Sequence, residues 1–239
     1  MKRAIRGSAR VLKGLSPLRL RKRRNKKRSI TKFCEEVGLV YFGFVSQRDD
    51  DHHIVRGLTV SNKHQDHHYC IGSHGGYDVV FVERSDTILT NHHHVWHIME
   101  FDLKYARELP HIFVGSPTHG LGFHSLLKAK YPQLHSAHLG VFGRHSTEFI
   151  DYFKIFAKPD QWLAAERIFT PDITAQIGKH FRGLVLEIIN DSLYIYSEKA
   201  FITHELLTTM LANGLWLARA IDEKSRPEGQ PEESAEHAN

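Results

Sequence analysis

The sequence has little of several features that identify common classes of protein. It contains only two cysteines, Cys34 and Cys70, which argues against a disulfide-stapled secreted fold and indicates a reducing compartment. Its longest apolar run, residues 37–45, falls well short of the ~20 residues that a membrane-spanning helix needs. No internal repeat is visible, so we expect neither a solenoid nor a propeller. These absences predict a globular protein without a transmembrane segment.

Sequence motifs of well-known enzyme classes are also absent. There is no H-E-x-x-H or paired C-x-x-C for a metal ion, and no G-x-S-x-G for a serine hydrolase. The glycines of residues 115–122 have the spacing of a phosphate-binding loop, but the lysine that would contact the phosphates is missing. The sequence therefore identifies no catalytic residue and favours a protein that is not an enzyme.

Acidic residues are absent from the first 28 positions, which hold thirteen Lys or Arg. The other residues contain 19 Lys or Arg against all 27 Asp and Glu, so they carry a net charge of −8 although the whole chain carries +5. Like charges packed this densely repel one another and do not bury a core. We therefore expect residues 1–32 to be a disordered basic arm on a mildly acidic body.

The arm has the composition of an anion-binding segment. Its first fifteen residues predict a loose amphipathic helix, and the polybasic run after it suits an anionic lipid surface, where each base contributes ~1 kcal/mol. The same arm, residues 1–28, would bind nucleic-acid phosphates by releasing counterions, and an acid-free Arg-rich start is also typical of transit peptides. The predicted anion-binding residues are Arg19, Arg21, Lys22, Arg23, Arg24, Lys26, Lys27 and Arg28.

Histidine is concentrated in one part of the chain: sixteen of the nineteen lie between residues 52 and 145. On a strand, an H-x-H pair is a good base for zinc or iron, and a third ligand from a neighbouring loop would complete the site. The predicted metal ligands are His64, His67, His92 and His94, with His68, Asp66 or Cys70 as substitutes. Adjacent histidines also often face water, or act as a pH sensor, so a protein without a cofactor remains the first expectation.

The body, residues 33–222, predicts an α+β fold. Strands that are mostly antiparallel are expected in its His-rich first part, 33–146, over 37–46, 54–60, 68–71, 77–83, 92–103 and 110–114. The second part, 147–222, predicts a strand at 149–157, a short helix from Pro159, a helix that begins at Thr170-Pro171-Asp172, a hairpin around Asn190-Asp191 and a last helix capped by Thr203. Residues 223–239 predict a disordered tail.

Residues 147–222 also carry a recognisable arrangement of apolar and turn residues. Phe149 and Phe153 precede the run 168–173, and a strand–turn–strand over 189–196 leads to a closing helix. In this arrangement the chain resembles a broad group of uncharacterised bacterial proteins of the domain-of-unknown-function type. The resemblance implies an α+β module without known catalytic residues. Members often look membrane-associated through N-terminal apolar helices, and here a polybasic arm stands in that place.

The leading hypothesis from the sequence is a non-enzymatic cytoplasmic protein whose basic arm tethers it to an anionic surface, the inner face of a membrane. The first alternative is a metal-dependent hydrolase that uses the histidine-rich site with zinc or iron. The second alternative is non-specific association with nucleic acid through the arm. The charge pattern by itself does not separate lipid from nucleic acid.

Overall fold

The computed structural model describes residues 17–44, 64–87, 93–105, 108–117, 127–199 and 201–226. The labelled helices are α1 (Pro17–Val37), α2 (Thr147–Tyr152), α3 (Trp162–Ile168), α4 (Pro171–His180) and α5 (His204–Ser225), and a 3-10 turn spans Pro159–Gln161. The strands are β1 (Val40–Phe44), β2 (Gln65–His74), β3 (Tyr77–Thr87), β4 (His93–Asp102), β5 (Leu109–Gly115), β6 (His135–Ser136), β7 (Lys154–Ala157), β8 (Val185–Asn190) and β9 (Ser192–Ser197).

All nine strands of the described residues belong to one sheet, in the order β1-β2-β3-β4-β9-β8-β5-β7-β6. Every described pair of neighbours is antiparallel. Of the labelled helices, α1 precedes the first strand and the others follow β6 in the chain. The predicted α+β class, with antiparallel strands in the first part, is therefore confirmed.

The sheet has a separate core on each face. Neighbouring residues on a strand point to opposite faces, so β3 and β4 supply both cores. Phe81, Met99 and Phe101 belong to the larger core, on the face that α1 and α5 cover. Trp96 and Ile98 belong to a smaller core on the other face, which is rich in aromatic side chains.

Several of the predicted turns and helix starts are present. Asn190 has a φ of +56° at the hairpin between β8 and β9. The Thr203 hydroxyl accepts a hydrogen bond from the Leu206 amide at 3.1 Å, as expected for the N-cap of α5. Thr170 occupies the N-cap position of α4, but its hydroxyl accepts a hydrogen bond from the Lys224 ammonium at 2.7 Å and makes no capping bond.

The prediction of a disordered arm over residues 1–32 is wrong for residues 17–32, which are helical in α1. Ile30, Phe33 and Cys34 have the i, i+3, i+4 spacing of one helix face and are at most 1% exposed in the larger core. Burial of this face stabilises the helix against the repulsion between its charges. Residues 1–16 lie outside the described residues.

The prediction of one strand over residues 149–157 is also wrong in its first half. Residues 147–152 form α2, and only Lys154–Ala157 is a strand. Ser146 caps the helix, because its hydroxyl accepts a hydrogen bond from the Phe149 amide at 3.3 Å. Phe149 is buried as a residue of α2, and Phe153 is buried as the residue that follows the helix.

Other predictions differ at their ends or lie outside the described residues. The strand predicted over 37–46 begins only at Val40, because Val37 is the last residue of α1. The predicted strand over 54–60 lies outside the described residues. The predicted tail of 223–239 starts too early, since α5 continues to Ser225, and residues 227–239 are not described.

Replacing Gly214 with Ala in α5 is expected to destabilise the protein. An added Cβ would lie 2.1 Å from two ring carbons of Phe101, and overpacking of this kind costs about 1–3 kcal/mol. A Gly to Ala change in an open helix interior would instead stabilise by about 1 kcal/mol. Urea unfolding followed by circular dichroism measures the difference. Thr209→Ala, at an exposed position of the same helix, is the control. A more stable Gly214→Ala variant would contradict the packing described.

Candidate functional site

The eight predicted anion-binding residues all lie on helix α1. Side chains are described from Arg24 onward, and those of Arg24, Lys27 and Arg28 are exposed. Their i, i+3, i+4 spacing places them on one side of the helix. These three residues are called the basic face below. Four bases of the predicted set come before Arg24, and their backbone belongs to the same helix: Arg19, Arg21, Lys22 and Arg23.

Lys26 is the one described base of the predicted set that turns inward. Its ammonium lies 2.5 Å from the Glu83 carboxylate on β3. The same carboxylate oxygen lies 3.2 Å from Nε2 of His97, which is fully buried on β4. The register of the sheet pairs Glu83 directly with His97. This group, Lys26–Glu83–His97, is the polar anchor of α1.

Glu83 is charged in this anchor although it is buried. Burial acts to raise its pKa, but the hydrogen bonds and charges of His97 and Lys26 outweigh that effect and lower the pKa to about 2. A carboxylate in a core would otherwise be costly. The anchor therefore joins the part of α1 around Lys26 to strands β3 and β4 of the sheet.

The basic face adjoins strand β1. The Lys27 ammonium lies 5.7 Å from the centre of the Tyr41 ring, a cation–π distance. Val40 and Phe42, on either side of Tyr41, are each 56% exposed, but alternation along β1 points them to the opposite face of the sheet. Phe42 accordingly contacts Tyr69 of the smaller core, with 6.2 Å between the ring centres. The basic face therefore adjoins Tyr41, and these two apolar side chains are not part of it.

Of the predicted metal ligands, His64 and Asp66 lie together but Asp66 has another partner. His64 Nε2 is 3.9 Å from the Asp66 carboxylate. Both oxygens of that carboxylate accept hydrogen bonds from the Arg84 guanidinium, each at 2.8 Å, and both residues are buried. The negative charge of Asp66 is therefore balanced by Arg84 in a bidentate ion pair.

The other candidates on β2 lie apart from that pair. His67 pairs with Glu83, on the opposite face of the sheet from Asp66. His68 has a φ of +56° at an irregularity of β2, and its Nδ1 lies 2.8 Å from the Tyr41 hydroxyl. Cys70 is buried against another cysteine. The strand therefore distributes these side chains among different partners.

The remaining candidates are not described by their side chains. His92 lies outside the described residues, and His94 contributes a described backbone position on β4, paired with Asp86. Within the described part of the chain, no group of three or more His, Cys, Asp or Glu is placed to hold a metal ion. The metal site stays a prediction.

The residues that sequence reasoning missed are buried polar groups inside apolar strands. Besides the anchor and the Asp66–Arg84 pair, two further carboxylates are buried next to tyrosines of the smaller core: Glu100 accepts a hydrogen bond from the Tyr194 hydroxyl at 2.9 Å, and Glu187 accepts one from Tyr196. His111 Nε2 lies 2.8 Å from Glu187. An acid within an apolar strand was the available signal, because such a group requires a partner when buried.

The described residues define an α+β protein with one antiparallel sheet, a basic helix and a C-terminal helix on the same face. No protein-family model and no curated protein matches the chain. Its fold is similar to the crystal structure of the mycobacterial trehalose monomycolate transport factor A, with a TM-score of 0.53 and 10% sequence identity. The match covers 85% of this chain and 96% of that chain. At this identity the likeness shows a shared fold.

No helix in the described part of the chain is both long enough and apolar enough to cross a membrane.

Replacing Glu83 with Gln is expected to destabilise the protein most at neutral pH. The unfolded chain protonates this carboxyl near its ordinary value of 4.5, whereas the folded chain does so near 2. A lowered pKa contributes stability that is fully present above about pH 5 and is lost as the pH falls towards about 2. Since one pKa unit is worth about 1.4 kcal/mol, we expect the variant to lose about 1–3 kcal/mol at pH 7.

Urea unfolding of the wild type and the variant at pH 7 and pH 3 measures this dependence. The difference between them should fall by about half at pH 3. Glu35→Gln, at an exposed position of the same helix, removes the same charge without touching the anchor. A wild-type advantage of equal size at both pH values would show that the ion pair does not hold α1 through its charge.

Proposed function

We propose that this chain is a non-catalytic module that binds the anionic surface of a membrane through helix α1. The observation that carries the proposal is that the inner and outer sides of this helix make different contacts. Its inner side is fixed to the sheet by Ile30, Phe33 and the polar anchor, while Arg24 and Arg28 stay exposed on the outer side. Arg24 and Arg28 therefore remain at the surface, where a ligand can reach them, while Lys26 forms the ion pair with Glu83.

Order in the helix strengthens such binding. A disordered arm loses conformational freedom when it settles on a surface, whereas bases on a helix that is already formed lose less. Each base near an anionic lipid surface contributes ~1 kcal/mol, so the three residues of the basic face supply roughly a hundredfold in affinity. The four earlier bases extend the same helix.

The distribution of charge over the whole chain supports one orientation. The residues after position 28 carry a net charge of −8, so an anionic surface repels the body while it attracts α1. Opposite signs at two parts of one molecule orient it in an electric field. We therefore expect α1 to lie against the membrane and the sheet to lie away from it.

Membrane lipid is favoured over nucleic acid by the composition of the polybasic run. The polybasic run itself contains no aromatic residue on which bases would stack. The fold likeness to a protein described as a trehalose monomycolate transport factor also supports a role in transport.

Removing the basic face is expected to weaken binding to acidic vesicles. The test compares the wild type with an Arg24→Gln, Lys27→Gln and Arg28→Gln triple variant. Vesicles of phosphatidylcholine, with and without phosphatidylglycerol, are sedimented with each protein at increasing salt. The wild type should bind only when phosphatidylglycerol is present and should be released by salt, because exposed charges are screened over ~8 Å at physiological ionic strength. The variant should bind roughly 10–100-fold more weakly.

The matched control removes three bases from elsewhere. Lys128, Lys154 and Lys158 are exposed, and their change to Gln lowers the net charge by the same amount. This control should bind as the wild type does. Equal weakening of both triple variants would show a general charge effect and contradict the proposal. Stronger binding of the wild type to single-stranded RNA than to the acidic vesicles would instead make nucleic acid the partner.

A further inference from the structure

The two cysteines of the chain meet in the larger core. Cys34 lies in the last turn of α1 and Cys70 lies on β2, and they are 1% and 0% exposed. Their Sγ atoms are 2.8 Å apart and share a hydrogen bond. Both cysteines have free thiols. A disulfide holds its sulfurs at about 2.05 Å, so bond formation would require a movement of about 1 Å or less.

The local fold explains why the two thiols meet. The Leu39 amide donates a hydrogen bond to the Cys34 carbonyl at 2.8 Å, so the chain turns directly from α1 into β1. In β1, Tyr41 pairs with Cys70 on the neighbouring strand. The short connection therefore places the end of the helix over the partner strand of β1, although 36 positions separate the cysteines in sequence.

We propose that Cys34 and Cys70 are a site of reversible disulfide formation, which joins helix α1 covalently to the sheet by exchange with a small disulfide of the glutathione type. This modification goes beyond the proposed membrane binding and does not depend on it.

The chemistry consists of two exchange steps. In the first, Cys34 loses its proton to solvent, and its thiolate attacks one sulfur of glutathione disulfide, forms a mixed disulfide and releases one glutathione thiolate. In the second, Cys70 loses its proton to solvent, attacks the Cys34 sulfur and releases the second glutathione thiolate. The two cysteines are oxidised together by two electrons, and one glutathione disulfide is reduced to two glutathione molecules.

Cys34 is the better attacking group of the two. The hydrogen bond with Cys70 lowers the pKa of Cys34, whereas that bond and burial raise the pKa of Cys70. A thiolate is the nucleophile in disulfide exchange. Since both sulfurs are buried, the reagent reaches Cys34 when the last turn of α1 opens locally, and the reaction is expected to be slow in the native state.

The experiment uses the full chain and needs no other protein. Reduced protein is equilibrated in mixtures of glutathione and glutathione disulfide, in urea below the unfolding transition so that burial does not limit the rate. Samples are then acid-quenched, denatured, treated with N-ethylmaleimide and weighed by intact mass spectrometry. Because the chain has two cysteines, two adducts report the dithiol. No adduct, with a mass lower by two hydrogens, reports the internal disulfide.

We expect the monomer to pass from two adducts to none as the proportion of glutathione disulfide rises. Closing a loop of this length should raise the melting temperature by roughly 5–15 °C. Cys34→Ser and Cys70→Ser each retain one thiol and should stop at a mixed disulfide or a free thiol. If the wild type still carries two adducts in glutathione disulfide alone, the proposal is wrong. Disulfide-linked dimers in place of the internal bond would overturn it as well, and these two outcomes need no serine variant to fold.

Discussion

The burial of one side of helix α1 against the sheet is the interaction on which the other features depend. A segment as basic as this one is unstable alone, because its charges repel one another and nothing buries its apolar residues. Fully burying side chains such as Ile30 and Phe33 contributes about 1.5–3 kcal/mol each. The ion pair between Lys26 and Glu83 also fixes the position of α1 relative to β3. With these contacts made, the exposed bases become part of a folded surface.

The same constraint explains where the polar groups of the core lie. An antiparallel sheet with a core on each face has few positions for charge, so each buried carboxylate is matched to a donor. Glu83 takes Lys26 and His97 on one face, and Asp66 takes Arg84 on the other. These pairs stabilise particular neighbours among strands whose apolar residues alone would tolerate several arrangements. Specific partners for buried charges thus accompany the long-range pairing of the sheet.

The histidine-rich segment shows how strand geometry divides residues that are adjacent in sequence. Asp66 and His67 are neighbours, yet they pair with residues on opposite faces of β3. His68 has a positive φ at a register shift of β2, and its ring lies against the Tyr41 hydroxyl. A dense run of metal-ligand residue types therefore does not by itself converge on one point. Ligands from other strands would have to meet it.

The sequence by itself determined the α+β class, the hairpin at Asn190, the cap at Thr203 and the concentration of positive charge before residue 29. These features depend on local periodicity, on turn and capping preferences, or on composition, which neighbouring residues establish alone. Only the tertiary structure decided that the basic segment is helical from Pro17, that Lys26 turns inward, and that Cys34 meets Cys70. Each of these depends on contacts between residues far apart in the chain, whose burial outweighs the local preference of a charged segment for solvent.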